Sequence, residues 1–262
     1  FLRAVVGEIK GKTTWGRTFL VPAGDVYGIS LACFGLLTGP DICVAKYLTK
    51  KMKETDVFYD IGANYGFYGM LAQELAVRGE IHLFEPVPQL TAYLRKNFSV
   101  PRKNEKIFLN EVAISDTSGR SVFYESYSTA ASGNSTLRED VSREHEGAFR
   151  PVQVDNITLD EYVKTHSYPT IIKMDIEGAE GKALAGARDA LARWHPAIVM
   201  EVWFAPLNNE EHIHAVKILY GLGYKSFSLK ADGELQEFPD LDRYIAEPQK
   251  DSATFNGNFV FQ

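Results

Sequence analysis

Cysteine is almost missing from this chain, with only Cys33 and Cys43 among 262 residues. That excludes a disulfide framework, and the spacing is not that of a metal-binding pair. Two buried free thiols in a reducing, cytoplasmic setting are expected. An excess of positive charge is also missing. Lysine and arginine number 28 against 34 aspartates and glutamates, a net charge of −6. A chain of that balance lacks the broad basic surface that nucleic-acid binding requires. Short basic clusters, Lys46, Lys50, Lys51 and Lys53, and later Arg95, Lys96, Arg102, Lys103 and Lys106, read as solvated faces. The longest apolar run, Ile29 to Leu37, falls far short of the roughly 20 residues that span a bilayer. No nucleic acid and no membrane are therefore expected as partners. Signal peptide, repeats and low-complexity tracts are absent too, and the chain opens at Phe1 rather than Met. What is present, 45% hydrophobic and 24% charged residues, is the composition of a globular protein with a sizeable core.

The hydrophobic pattern divides the chain. Residues 1–54 read as a mixed leader, with a short strand at Thr18 to Val21 and a helix opened by Pro40-Asp41, where Asp41 is an N-cap or first-turn acid. From residue 55 to 262 the pattern becomes that of one domain. Val57-Phe58-Tyr59, Ile81 to Phe84 and Ile107 to Ile114 read as strands separated by helices that carry apolar residues at helical spacing. The alternation resumes with Thr170 to Met174, an alanine-rich helix from Ala179 to Arg193, and Ala197 to Met200. A helix around Ile213, Val216 and Leu219 follows, and strands at Tyr224 to Leu229 and Phe259 to Phe261 close the chain. Strands alternating with helices imply an α/β fold with a parallel sheet covered on both faces. The alternation is broken by an antiparallel return at Val122-Phe123-Tyr124, an edge strand at Val152-Gln153-Val154, and between them a polar, aperiodic insertion, 125–150. A loop of that length inside a compact domain points to a lid or binding loop. Thr158 is placed to cap a short helix at Leu159 to Val163.

Four acids stand where strands end: Asp60, Glu85, Asp175 and Glu201. In a doubly wound sheet ligands bind at those ends. The turn Asp60-Ile61-Gly62-Ala63-Asn64-Tyr65-Gly66 has glycines that let the backbone turn tightly and approach a ligand. Glu85, about 20 residues further, is placed to accept hydrogen bonds from a ribose. This spacing fits NAD and S-adenosylmethionine alike. Asn64 stands where the middle glycine of a dinucleotide fingerprint is needed, and Asp60 would repel a pyrophosphate but attract an ammonium or sulfonium group. An acid near a helix N-terminus also has a purely structural use as a cap, and Glu180 fits that use best.

These segments resemble the FkbM-type S-adenosylmethionine-dependent methyltransferases. Val57 to Gly66 is similar to the family's cofactor loop, Phe84-Glu85-Pro86 to its ribose-binding acid, and Val112-Ala113-Ile114-Ser115-Asp116 to the strand beyond. Thr158-Leu159-Asp160-Glu161-Tyr162, the signature Ile172 to Glu180, and Val199-Met200-Glu201 follow in register. The resemblance implies a Rossmann-like class I methyltransferase with a seven-stranded, mostly parallel sheet, helices on both faces and the last strand antiparallel. It implies S-adenosylmethionine as cofactor, held by Asp60, Gly62, Ala63, Asn64, Tyr65, Gly66, Glu85, Glu111, Ala113 and Asp175, with Glu111 a departure from the usual small polar residue. It also implies methyl transfer to a hydroxyl oxygen of a small acceptor, a sugar unit or secondary metabolite.

Methyl transfer to an alcohol needs alignment, a dry pocket and a group that takes the hydroxyl proton. Asp175, Glu177 and Glu201 are the candidates for that catalytic role. No metal is expected, although carboxylates suit Mg²⁺. Tyr65, Phe67, Tyr68, Tyr127 and Trp203 offer aromatic faces for adenine or a sugar, and Ser132 to Thr136 offers small polar groups. His145 in the insertion could visit the site, His82 reads as a hydrogen-bonded core residue, and His212 and His214 face different ways. Two other functions fit the same features: a nicotinamide-dependent oxidoreductase, and a non-catalytic domain that binds S-adenosylmethionine.

Overall fold

The computed structural model describes residues 7–37, 39, 41–100, 102, 104, 106–126, 136–137, 149–205, 209–247 and 256–262. The leader folds as a hairpin, β1 (Glu8–Lys12) and β2 (Thr18–Pro22), followed by helices α1 (Val26–Phe34) and α2 (Asp41–Lys51). Alternation begins with β3 (Val57–Ile61), α3 (Phe67–Leu75), β4 (Glu80–Phe84), α4 (Pro88–Asn97) and β5 (Ile107–Asn110). Then come β6 (Ala113–Ile114), β7 (Gly119–Ser126), β8 (Phe149–Ile157) and α5 (Leu159–Tyr162). The second half runs β9 (Ile171–Met174), α6 (Glu180–Ala185), α7 (Arg188–Trp194), β10 (Ala197–Trp203), α8 (Glu210–Gly221), β11 (Ser226–Leu229), β12 (Leu235–Glu237), α9 (Leu241–Ala246) and β13 (Asn256–Phe261).

The main sheet has the order β12-β11-β13-β10-β9-β3-β4-β5. The five strands from β10 to β5 are parallel, and β13 inserts antiparallel between β10 and β11. Seven of these strands form the expected sheet, with its last strand reversed. The eighth, β12, is the return of a hairpin on β11 that turns at Gly233, in the left-handed region at φ +84°. Alternate residues serve opposite faces, as a parallel sheet covered on both sides requires. Phe58, Ile81, Leu83, Ile171 and Val199 join one core with residues of the leader and α3. Tyr59, Ile61, Ile172, Met174, Ile198 and Met200 join the other with α6, α7 and α8.

Several expectations are corrected. The run 107–114 is not one strand: it leaves the sheet after Asn110, whose side chain donates to the Leu83 carbonyl at 3.2 Å, and β6 then pairs with β8 in a separate sheet. In that sheet, ordered β6-β8-β7, the segment Val152 to Val154 lies in the central strand rather than at an edge. Its antiparallel partner does contain Val122 to Tyr124. The alanine-rich stretch is two helices, not one. A Cβ at Gly186 would lie 2.2 Å from the Ser115 carbonyl oxygen, so the backbone must pass tightly there, and this close approach overrides helix propensity. The second piece is then anchored afresh, since the Asp160 carboxylate accepts from the backbone N–H groups of Asp189 and Ala190. Thr158 does cap α5, accepting from the Glu161 N–H at 3.1 Å. Cys33 is exposed rather than buried, because the apolar α1 presents one side to solvent, with Val26 and Phe34 also exposed.

The leader is fastened to the sheet by buried polar groups. Arg17, 1% exposed, donates to Gln73 of α3 and to the Asn97 carbonyl. The Asn97 side chain accepts from the Leu20 N–H at 2.7 Å and donates to the Tyr65 carbonyl at 3.0 Å. One asparagine thus joins β2 to the loop after β3.

That loop passes the loop after β9 at contact distance. Gly62 has φ +85°, and a Cβ there would sit 1.9 Å from the Asp175 carbonyl oxygen. Gly62→Ala is expected to destabilise the fold by about 1–3 kcal/mol through the left-handed backbone alone, and by more if the two loops are forced apart. Gly221→Ala, where nothing lies within 4 Å, is expected to leave stability nearly unchanged. Urea unfolding of the two variants checks the contrast.

Candidate functional site

A cavity of about 270 Å³ lies at the carboxyl ends of β3, β4, β9 and β10. These ends come together because β3 and β9 pair in parallel at the centre of the sheet. The end of β3 supplies Asp60, the turn after it Gly62, Ala63, Asn64 and Tyr65, and the residue following β4 is Glu85. Ala113, Asp175, Glu177 and Glu201 complete the expected residues found there. Gly66 and Glu111 are not among them. Gly66, at φ +87°, turns the chain into α3 and packs against Leu94 and Phe98. Glu111 turns outward to an exposed ion pair with Arg95, and its neighbour Val112 lines the cavity instead.

The cofactor turn and Glu85 form one unit. Glu85 is buried, and its two carboxylate oxygens accept from the backbone N–H groups of Asn64 at 3.0 Å and Val87 at 2.9 Å. Burial nevertheless pushes its carboxyl up to about 7, because those two hydrogen bonds only partly oppose the desolvation. Asp60 is likewise 1% exposed and accepts from the Gly69 N–H at the start of α3. Burial pushes it up to about 7 against the pull of Lys173. Asn64 holds a left-handed backbone, φ +50°, and its side-chain oxygen is buried with no hydrogen-bond donor among the described residues. An acceptor in that state suits a ligand carrying hydroxyl or ammonium donors.

The other end of the cavity is acidic. Oxygens of Asp175, Glu177 and Glu201 lie within 4.8 Å of one another. Burial first, and then the neighbouring carboxylates, hold Glu177 and Glu201 well above the usual carboxylate range. The Trp203 indole N–H donates to Glu201 at 3.0 Å, so Trp203 orients that acid from outside the lining. Glu177 sits at φ +55°, a strained position for a side chain of its size, and its carbonyl accepts from the Thr136 hydroxyl at 2.8 Å. Glu180 is not a helix cap: it is the first residue of α6, which has no side-chain cap, and its carboxylate accepts from the Ile176 N–H at 3.0 Å and so braces the loop before the helix.

Three lining groups have no role in the sequence reading. Lys173 stands in the fully buried strand β9, where a charged residue among Ile171, Ile172 and Met174 was the available signal. Its ammonium lies 3.2 Å from Asp175. Asp41, read only as a helix-start acid, enters the cavity and accepts from the Tyr68 hydroxyl at 3.1 Å. Tyr27 comes from α1 and packs on Tyr65. Tyr65, Phe67 and Tyr68 line the cavity as aromatic walls, whereas His82 is buried in β4, bonded to the Tyr162 hydroxyl. His212 is buried against Glu180 and Trp203. Tyr127, Ser132 to Ser135, His145 and most of the 125–150 insertion lie outside the described residues; Thr136 and Leu137 are described, and Leu137 lines the cavity.

Comparison with known proteins gives this arrangement a family. The 2-O-methyltransferase NoeI of Sinorhizobium fredii is 28% identical over 54% of this chain and 61% of its own length. The hexuronic acid methyltransferase AglP of Haloferax volcanii is 25% identical over 56% of each. This chain therefore aligns with less than two thirds of either relative. Among solved structures, the methyltransferase FkbM from Methylobacillus flagellatus superposes with a TM-score of 0.51 at 16% identity, over 81% of this chain and 44% of that one. At that identity the likeness establishes the fold, a class I methyltransferase sheet. The Methyltransferase FkbM domain matches residues 60–226, well over half of the chain and all of the cavity's strand-end acids. The chain belongs to the FkbM family of S-adenosylmethionine-dependent methyltransferases.

Proposed function

We propose that this chain methylates a hydroxyl oxygen of a small, uncharged acceptor, a sugar unit in the first instance, with Asp175 as the base. The observation that carries the reading is the charge of the cavity. Among the described residues Asp41, Asp60, Glu85, Asp175, Glu177 and Glu201 line it against a single cation, Lys173, whose ammonium is already paired with Asp175. Through those of its carboxyls that are ionised, such a lining attracts a sulfonium and an ammonium group and repels a pyrophosphate or a carboxylated acceptor. It favours a hydroxyl acceptor, as the name 2-O-methyltransferase of one relative describes, over a hexuronic acid, as the name of the other describes. It also disfavours a nicotinamide dinucleotide.

S-adenosylmethionine, when bound, supplies a methyl group on a sulfonium sulfur. Glu85 and the Asn64 side chain are placed to hold its ribose and amino donors, and Asp60 stands on the side of its positive charge. Tyr27, Tyr65 and Tyr68 wall the cavity and exclude water. At the acceptor, Asp175 would take the hydroxyl proton as the oxygen receives the methyl group that the bound cofactor would supply. Burial favours the protonated form of Glu177 and Glu201, which are placed to donate hydrogen bonds that orient the acceptor. Thr136, on the Glu177 carbonyl, links the insertion to this end of the cavity, which supports a part for the insertion in acceptor choice. A cytoplasmic location and the absence of nucleic acid as a partner belong to the same reading. No helix among the described residues is long and apolar enough to cross a membrane.

The test of the reaction is transfer of a labelled methyl group from S-adenosylmethionine to matched neutral glycosides and uronates, with preference for the neutral series expected. Asp175→Asn keeps the shape and removes the basicity. Turnover is expected to fall at least about 100-fold, with cofactor affinity changed by less than about threefold. Full turnover in that variant would remove Asp175 as the base.

The raised carboxyls give a pH dependence. A carboxyl near 7 in the folded chain and near its ordinary value of about 4 when unfolded holds its proton more tightly in the fold. Its contribution favours the folded state below about pH 4 and is lost as pH rises through 7. A cationic cofactor reverses the preference, since it binds the ionised form. Affinity for S-adenosylmethionine is therefore expected to rise about tenfold between pH 6 and pH 8. Glu85→Ala is expected to weaken binding by about 1.5–3 kcal/mol and to flatten that rise. Calorimetric titration at the two pH values measures both.

A further inference from the structure

Three carboxylates crowd the acceptor end of the cavity, and like charges so close cannot all be ionised at once. Something in the structure must select which one carries the charge. We propose that Lys173 is a positioning residue whose buried ammonium selects Asp175, among Asp175, Glu177 and Glu201, as the negatively charged group facing the acceptor. The proposal rests on the reading above that a carboxylate of this cluster takes the proton.

The geometry is specific. Lys173 lies in β9 at the centre of the sheet, in register with Asp60 of β3 and Val199 of β10. Its side chain is 1% exposed, so its position is set by packing and not by solvent. Nζ lies 3.2 Å from Asp175 Oδ2 and 3.4 Å from the Met174 carbonyl, and 5.4 Å from the centre of the Tyr68 ring. Glu201 is instead held by the Trp203 indole, and the ion pair of Lys173 is with Asp175 and not with Glu177. Lys173 is the one cation lining the cavity among the described residues. The insertion does not redress the balance by sequence, since residues 138–148 hold Arg138 and Arg143 against Glu139, Asp140, Glu144 and Glu146.

The groups that face this ammonium come from several elements around it. They are Asp41 of α2, Asp60 of β3, Tyr68 of α3, Asp175 and Glu177 after β9, Glu180 of α6 and Glu201 of β10. Burial alone would pull the lysine down, but Asp175 first, then Asp41, Glu201 and Asp60, more than offset it, and Lys173 is raised above its ordinary value. It therefore remains a cation and is not itself the base. Binding Oδ2 also fixes the carboxylate plane and leaves the other oxygen of Asp175 for the acceptor.

The test uses the full chain with S-adenosylhomocysteine bound and ¹³C-carboxyl-labelled aspartate and glutamate. Asp175→Asn, Glu177→Gln and Glu201→Gln assign the three resonances. In the wild-type protein Asp175 is expected to have the lowest titration midpoint of the three. In Lys173→Met, with the fold checked by circular dichroism, the Asp175 midpoint is expected to rise by at least about one pH unit, the usual effect of losing an adjacent opposite charge. Lys173→Arg is expected to restore most of the shift, which a purely space-filling role would not produce. The proposal is overturned if Glu177 or Glu201 titrates lowest in the wild-type protein, or if the Asp175 midpoint is the same in Lys173→Met. Should Lys173→Met not fold, the wild-type order decides. Turnover retained in Asp175→Asn would remove the base assignment and leave the titration result standing, so the two readings fail separately.

Discussion

The site depends on one contact, the backbone approach of two loops that leave neighbouring parallel strands. β3 and β9 end level with each other, the Asp175 N–H donates to the Ile61 carbonyl, and Gly62 lies against the Asp175 carbonyl with no room for a side chain. That contact sets the distance between the cofactor turn and the acid cluster. Everything chemical in the cavity is referred to it: Asp60 and Glu85 on one side, Asp175, Glu177 and Glu201 on the other. A parallel pair at the centre of a sheet, fixed by ladder hydrogen bonds and by cores on both faces, is a rigid base for such a distance.

Electrostatics then works against the fold at this place. Acids are gathered where water is scarce, their few hydrogen bonds only partly oppose the desolvation, and their carboxyls respond by holding protons. Two left-handed non-glycine residues, Asn64 and Glu177, stand at the two ends of the same cavity. Strain and unfavourable charge in one location are what a binding site costs in stability. The surrounding sheet, with apolar residues on both faces, offsets it.

The strand-end acids and the glycine turn were legible in the sequence because each is local: a strand period, a tight turn, an acid at a fixed offset. Asp60, Gly62, Glu85, Asp175 and Glu201 needed no knowledge of the rest of the chain. Glu111, a departure from the family pattern, lies outside the lining, and the break in the strand at Asn110 beside it depends on a partner, β8, far along the chain. The break at Gly186 escaped for the same reason, since Ser115 causes it from a distance. Asp41 and Tyr27 reach the cavity only through the docking of the leader. Lys173 lies inside the signature Ile172 to Glu180, but its burial, and hence its meaning, is a tertiary fact.

The fastening of the leader changes what counts as the inherited module. The family likeness begins at residue 60, yet Tyr27, Leu31 and Asp41 form one wall of the cavity, and Asn97 ties β2 to the loop that carries Tyr65. The unit that folds around the ligand is therefore larger than the unit that resembles its relatives. A chain trimmed to the resembling part would keep its signature and lose a side of its pocket.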